Sequence, residues 1–268
     1  MTVKREPKWL KAAKAGGFSN PPGSVKPDFV SRALSRAGAL PAPLAEEAVR
    51  AGRVKVNHRV VTEPFAPLPQ NAKVQLDGEF IEVGPTTKVL AFHKPKNMVV
   101  NGTDKDGGQT VFNALVALLP FELQGFGWLA VGRLDRDTTG LLLFTNDEQF
   151  VAHATSPETH LPKTYLVTVA GQVNDEKLAT LRRGVTYEGF TTKPAKASLR
   201  SPGVLALTLT EGKFHQVKRM VNEVNLATLE LHRESVGEFV LDVPLGQMRV
   251  LTDDEIQEQL GYRPRHRQ

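Results

Sequence analysis

Apolar and polar positions alternate along this chain in two different rhythms. The stretches KVLAFHK, TYLVTVAG and VLALTLTEG read as strands, and GLLLFT as a more deeply buried one, since Leu141 to Phe144 is apolar without a break. TVFNALVALLP reads as a helix that Pro120 stops, because proline cannot donate the next backbone hydrogen bond. NDEKLATLRRG opens on Asn174 as a capping residue and closes on Arg182, Arg183 and Gly184. In HQVKRMVNEV, Val217, Met220, Val221 and Val224 fall at helical spacing and make one apolar stripe. Lys218 and Arg219 project from its flanks near the helix start. Strands and helices do not alternate regularly, which predicts an α+β fold rather than a doubly wound sheet.

The amino-terminal part is patterned differently. GGFSNPPGS at 16–24 is linker-like. After it, residues 25–83 predict a small module with helices over Phe29–Ala37 and Leu44–Ala51. A short strand pair, RVKVNHRVV and AKVQLDGEF, follows, with a tight hairpin at Asn57-His58. VGPTTK at 83–88 reads as a hinge, and residues 86–260 as one larger domain. A length of 268 residues suits two unequal domains with ample apolar material for their cores.

Charge sharpens this division. The formal net charge is +5, yet residues 1–24 carry five bases against the single acid Glu6. Arg263, Arg265 and Arg267 make the last residues, 261–268, a second basic tail, and the body between the two ends is slightly acidic. Basic ends on such a body fit a polyanion partner or serve as solubilising tails. The chain has no cysteine, which removes disulfides and thiol catalysis and points to an intracellular protein. No apolar run approaches the roughly 20 residues that span a bilayer. A cytoplasmic protein with no membrane partner is expected.

Several chemistries lack their residues. There is no G-x-x-x-x-G-K-[ST] or G-x-G-x-x-G, no H-E-x-x-H and no G-x-S-x-G. DKDGG at 104–108 begins like a calcium loop, but the acids that should continue it are missing. What stands out is GRLDRDTTGLLLFTND, which packs Arg133, Asp135, Arg136 and Asp137 at the mouth of the buried strand. A capped, solvated turn accounts for such a loop. So does a reactive carboxylate kept ionised by a neighbouring cation, with Arg133, Arg136 and Lys218 as candidates. Asp137 is a second acid, which leaves glycoside hydrolysis open. Tyr165 shares a strand face with Val167 and Val169, where it is either a core aromatic or a platform for a base drawn out of its helix.

AVGRLDRDTTGLLLFTND, LPKTYLVTV and EGKFHQVKRM, in this order, resemble the three signature regions of the pseudouridine synthases, and most closely their ribosomal-RNA branch. FHKPKNMVV resembles the strand that opens that catalytic domain, and ELHRESVGEFVLDVPLGQMRVLTDDE its close, so the resemblance spans about residues 88–260. It implies a mixed, largely antiparallel sheet with flanking helices, and an isomerase that needs no cofactor or metal. It makes Asp135 the nucleophile, Tyr165 the ring against the target uracil and Lys218 the partner of the aspartate. Arg133 is then expected to hold the loop and engage the flipped nucleotide. HQVKRM and ELHRE lean toward small-subunit ribosomal RNA as the substrate, with large-subunit RNA the alternative, and the enzyme is expected to act as a monomer. The amino-terminal module resembles the alpha-L RNA-binding domain through VRAGRVKVNHRVV, which implies phosphate contacts by Arg50, Arg53, Lys55 and Arg59, with Arg219 a further RNA contact. A non-catalytic RNA-binding assembly factor is the competing reading; it has no need of an acid near phosphates.

Overall fold

The computed structural model describes residues 29–69, 72–83, 87–101, 108–120, 123, 126–156, 158–159 and 161–265. The basic extension 1–24, residues 84–86 of the hinge, most of DKDGG and Arg267 lie outside the described residues. The chain forms two compact units, one from 1–87, 101–128 and 265–268, the other from 88–100 and 129–264.

In the first unit, helices α1 (Val30–Arg36) and α2 (Ala42–Arg50) pack on a four-stranded sheet. Its strands are β1 (Val54–Val56), β2 (Arg59–Val61), β3 (Val74–Leu76) and β4 (Glu79–Ile81), in the order β2-β1-β3-β4. Val30, Leu34, Ala45, Val49, Val54 and Val74 make a dry core, while Lys55 between its two buried valines points to solvent. The expected hairpin at Asn57-His58 is present, with both residues in the left-handed region (φ 48° and 67°). AKVQLDGEF is itself a second hairpin, because Asp77-Gly78 makes the same turn (φ 53° and 92°). The short strand β7 (Gln109–Thr110) and helix α3 (Val111–Leu118) also belong to this unit, and the Thr110 hydroxyl accepts from the Asn113 amide at the helix start.

The second unit is built on nine strands. β5 (Val89–Lys94), β8 (Leu129–Val131), β9 (Thr139–Thr145), β10 (Lys163–Ala170), β13 (Lys196–Ser201), β14 (Val204–Leu209), β15 (Ala227–Val236), β16 (Phe239–Val240) and β17 (Met248–Val250) form one sheet. Its central path runs β13-β14-β10-β15-β9-β5-β17, and every pairing is antiparallel except β15 with β9. The two-residue strand β6 (Met98–Val99) follows β5 outside that sheet. The expected α+β architecture is therefore observed. One core joins Val167, Leu205, Leu207 and Leu231 to α5 (Asp175–Arg183) and α6 (Gln216–Glu223) through Leu181, Val217, Met220 and Val221. The other joins Ala91, Leu141, Leu143 and Val236 to α4 (Glu148–Thr155) and a carboxy-terminal π-helical turn, Glu255–Gln259. A separate two-stranded hairpin, β11 (Thr186–Tyr187) with β12 (Phe190–Thr191), lies beside α6.

Register assembles one row of residues that matters below. Tyr165 of β10 pairs with Arg233 of β15, Arg233 with Gly140 of β9, and Gly140 with Lys94 of β5. Cross-strand partners share a face, so four strands contribute to one line across the sheet. Gly140 sits at φ +108°, and a Cβ there would lie 2.5 Å from the Arg233 nitrogen. Only glycine lets β9 approach β15 at this point.

Candidate active site

The loop between β8 and β9 carries Asp135, and three features hold it. Leu134 is buried at its base, and the Thr138 amide donates to the Asp135 carbonyl at 3.1 Å, closing a turn. The third feature is Lys94, fully buried at the end of β5. Its Nζ donates to the carbonyl oxygens of Pro95 (2.9 Å), Asp135 (3.1 Å), Arg136 (3.3 Å) and Thr138 (2.9 Å). Buried carbonyls outside helices and ladders need a donor, and one ammonium meets several of them. Burial pushes the Lys94 pKa down to about 8, against the pull of the Asp137 and Asp135 carboxylates.

The Asp135 carboxylate is 28 % exposed and lies between the side chains of Lys218 and His215. One oxygen lies 3.2 Å from Lys218 Nζ and the other 3.3 Å from His215 Nε2. Both partners come from the start of α6. His215 adopts a left-handed backbone (φ 53°, ψ 26°) ahead of that helix, and its ring stacks on Phe214 at 3.7 Å between centroids. The apolar stripe buries as expected, which fixes Lys218 on the partly buried flank beside it. Its ammonium makes its shorter contacts with Asp137, at 2.7 and 2.9 Å, so Lys218 bridges two carboxylates. Partial burial works against the charge on Lys218, but hydrogen bonds to Asp137 and Asp135 outweigh it and raise the pKa. The Lys218 hydrogen bond holds Asp137 below the usual carboxylate range.

The other candidates divide. Tyr165 is half-buried on β10 against the core of Val167 and Val169, in the row that leads through Arg233 and Gly140 to Lys94. Arg133 is exposed and forms no ion pair among the described residues. Arg219 is drawn away from Asp135 and pairs with Glu188 at 2.5 Å. In the first unit Arg50 pairs with Glu46 at 2.8 Å and Arg53 with both oxygens of Asp77. Lys55 and Arg59 are exposed without an acidic partner among the described residues. Sequence reasoning missed Lys94 and His215. His215 adjoined the recognised stripe, and a histidine just ahead of a helix that carries a candidate cation was the available signal. Lys94 had none, because three of its four acceptors are main-chain atoms 41 to 44 residues away.

Arg233 is buried with its Nε donating to the Leu141 carbonyl at 2.7 Å, and its Nη2 has no partner among the described residues. No helix among the described residues is long and apolar enough to cross a membrane, and no cluster of His, Asp and Glu there could hold a metal ion.

The family model described as RNA pseudouridylate synthase matches residues 88–223, and an S4 domain model matches residues 32–69. The ribosomal small subunit pseudouridine synthase A of Yersinia pestis is 38% identical over 234 residues, covering 85% of this chain and 94% of that protein. Its counterpart in Escherichia coli (strain K12) is 36% identical over 217 residues, 80% of this chain and 91% of that protein. A crystal structure of a pseudouridylate synthase superposes with a TM-score of 0.59 at 32% identity, covering 87% of this chain and 99% of that one. With that sheet, that loop and these relatives, the chain belongs to the RNA pseudouridylate synthase family, whose members are isomerases, and it carries an S4 domain ahead of the family region.

Proposed function

We propose that this protein converts one uridine of small-subunit ribosomal RNA to pseudouridine, with the Asp135 carboxylate as the nucleophile. The observation that carries this reading is the arrangement around Asp135. Its carboxylate is partly withdrawn from water, flanked by Lys218 and His215, and mounted on a loop whose main chain is tied down by a buried lysine. A passive turn needs none of this. A reacting carboxylate needs all of it, since it must stay ionised, weakly hydrated and still.

The reaction breaks the N1–C1′ glycosidic bond of uridine, turns the freed uracil and joins its C5 to C1′. The C5 proton leaves and N1 gains one, so nothing is oxidised and no group is imported. Tyr165 packs against the uracil, Lys218 balances the charge on Asp135, and Arg133 engages the flipped nucleotide. Residues 25–83 supply RNA binding and 86–260 the chemistry, in a monomer acting in the cytoplasm. The small-subunit assignment is supported by the names of the Yersinia pestis and Escherichia coli relatives.

A nucleotide-resolution map of pseudouridine in ribosomal RNA tests the proposal. Cells lacking the gene lose one site in the small-subunit RNA, the intact gene restores it, and the Asp135→Asn gene does not. Restoration by Asp135→Asn, or no lost site in any ribosomal RNA, overturns it.

A further inference from the structure

Beside Asp135, on the far side of His215 and Lys218, lies a cavity of about 290 Å³ lined by Tyr187, Glu188, His215, Lys218, Arg219 and Asn222 among others. This volume is near the lower end for small-ligand sites, which suits a single ring system rather than a larger group. The β11–β12 hairpin and α6 form its walls.

Its surroundings carry charges of both signs, with Glu188 and Glu223 in the lining beside Lys218 and Arg219 and with Arg219 paired to Glu188, together with one well-exposed ring. Phe214 is 61 % exposed, although an isolated phenylalanine gains nothing from water contact. One face of its ring is covered by His215. The Arg219 guanidinium lies 5.7 Å from the Phe214 centroid and 5.4 Å from that of Tyr187. Lys213 lies 5.3 Å from the Phe190 ring on the same hairpin. An exposed ring beside a cation is what a single-stranded nucleic acid uses, a base on the ring and a phosphate on the cation.

Tyr187 also lines the cavity but is itself 7 % exposed, with its hydroxyl closed off from solvent.

We propose that this cavity, with Phe214 at its rim, is a subsite for an unpaired nucleobase of the RNA strand adjoining the target uridine. The proposal rests on the reading of the protein as an RNA-modifying enzyme. It adds that His215 and Lys218 are the wall between two nucleotides, the reacting one at Asp135 and its neighbour at Phe214. The strand is thus held on both sides of the carboxylate, which orients the uridine as well as binding it.

Binding measured with the full-length protein tests this directly. The probe is a ribosomal RNA fragment that the wild-type protein retains, prepared with single abasic residues at each position. At one position next to the target uridine, loss of the base weakens binding to the wild-type protein about 10-fold. Phe214→Ala weakens binding to the intact fragment by a similar factor, and the abasic residue then costs nothing more, because both changes remove the same interaction. Additive effects at every position, or wild-type affinity in Phe214→Ala, overturn the subsite. Absence of pseudouridine with the abasic cycle intact removes the catalytic reading and leaves the base site standing.

Discussion

At the scale of single residues, Asp135 and Asp137 are two acids two positions apart with different surroundings. Asp135 is flanked by Lys218 and His215, whereas Asp137 is 68 % exposed and pairs with Lys218. Asparagine keeps the shape of either and removes its charge. Single-turnover pseudouridine formation is therefore expected to fall on the order of 10³-fold or more in Asp135→Asn, with folding and RNA binding retained. Asp137→Asn is expected to lose far less, roughly 10-fold, because the amide oxygen still accepts from Lys218. Lys218→Met should damage turnover more than affinity, since two carboxylates then face each other without the cation between them. Comparable turnover in Asp135→Asn and the native protein would assign Asp135 to the turn alone.

At the scale of elements, the site depends on where β5, β9 and β15 meet. Lys94→Met keeps most of the side-chain length but takes the ammonium from four carbonyl oxygens, of which those of Asp135 and Arg136 keep donors in the Thr138 and Asn97 amides. A loss of about 2–4 kcal/mol is expected in urea unfolding, with turnover falling alongside it. Gly140→Ala should cost about 3 kcal/mol or more, because the methyl meets the Arg233 main chain rather than a yielding side chain. pH separates stability from activity at Lys94. Its pKa falls from the ordinary 10.5 to about 8 on folding. Between those values the unfolded chain holds more protons, so this group's contribution to the unfolding free energy rises with pH. Its grip on the loop needs the ammonium and is lost in the same window. A pH profile should therefore show turnover declining above about pH 8 without a matching decline in melting temperature from this group. A profile flat to pH 10 would argue that Lys94 does not hold the loop through its charge.

At the scale of the whole molecule, the first unit presents cations of two kinds. Arg50 and Arg53 are occupied by Glu46 and Asp77, while Lys55 and Arg59 face solvent without an acid among the described residues. Replacing Lys55 and Arg59 with alanine should flatten the salt dependence of RNA binding by roughly 0.7–0.9 in log–log slope for each phosphate no longer neutralised. The Arg50→Ala and Arg53→Ala variants should change the slope less, since part of each charge is already balanced. Equal slopes in all four would mean that this face does not meet the phosphate backbone.

How much of this was legible without a structure follows from the range over which each cause acts. The ends of α5, the Asn57-His58 turn and the stripe on α6 depend on neighbours within a few residues and are where the patterning placed them, whereas α2 begins at Ala42, two residues ahead of the expected Leu44. The α+β class follows from the order of those local elements, while Asp135 and Lys218 become candidates through the resemblance of their short motifs to the family's signature regions. Tertiary structure alone decided that Lys94 ties the loop, that His215 turns back onto Asp135, and that Lys218 is shared with Asp137. It also decided that Gly140 must be glycine, because the main chain it touches belongs to a strand more than 90 residues further on. Each of these interactions joins chain segments between 41 and 93 residues apart. No local rhythm of apolar and polar residues encodes such a pairing, because only the register of packed strands brings its two ends together.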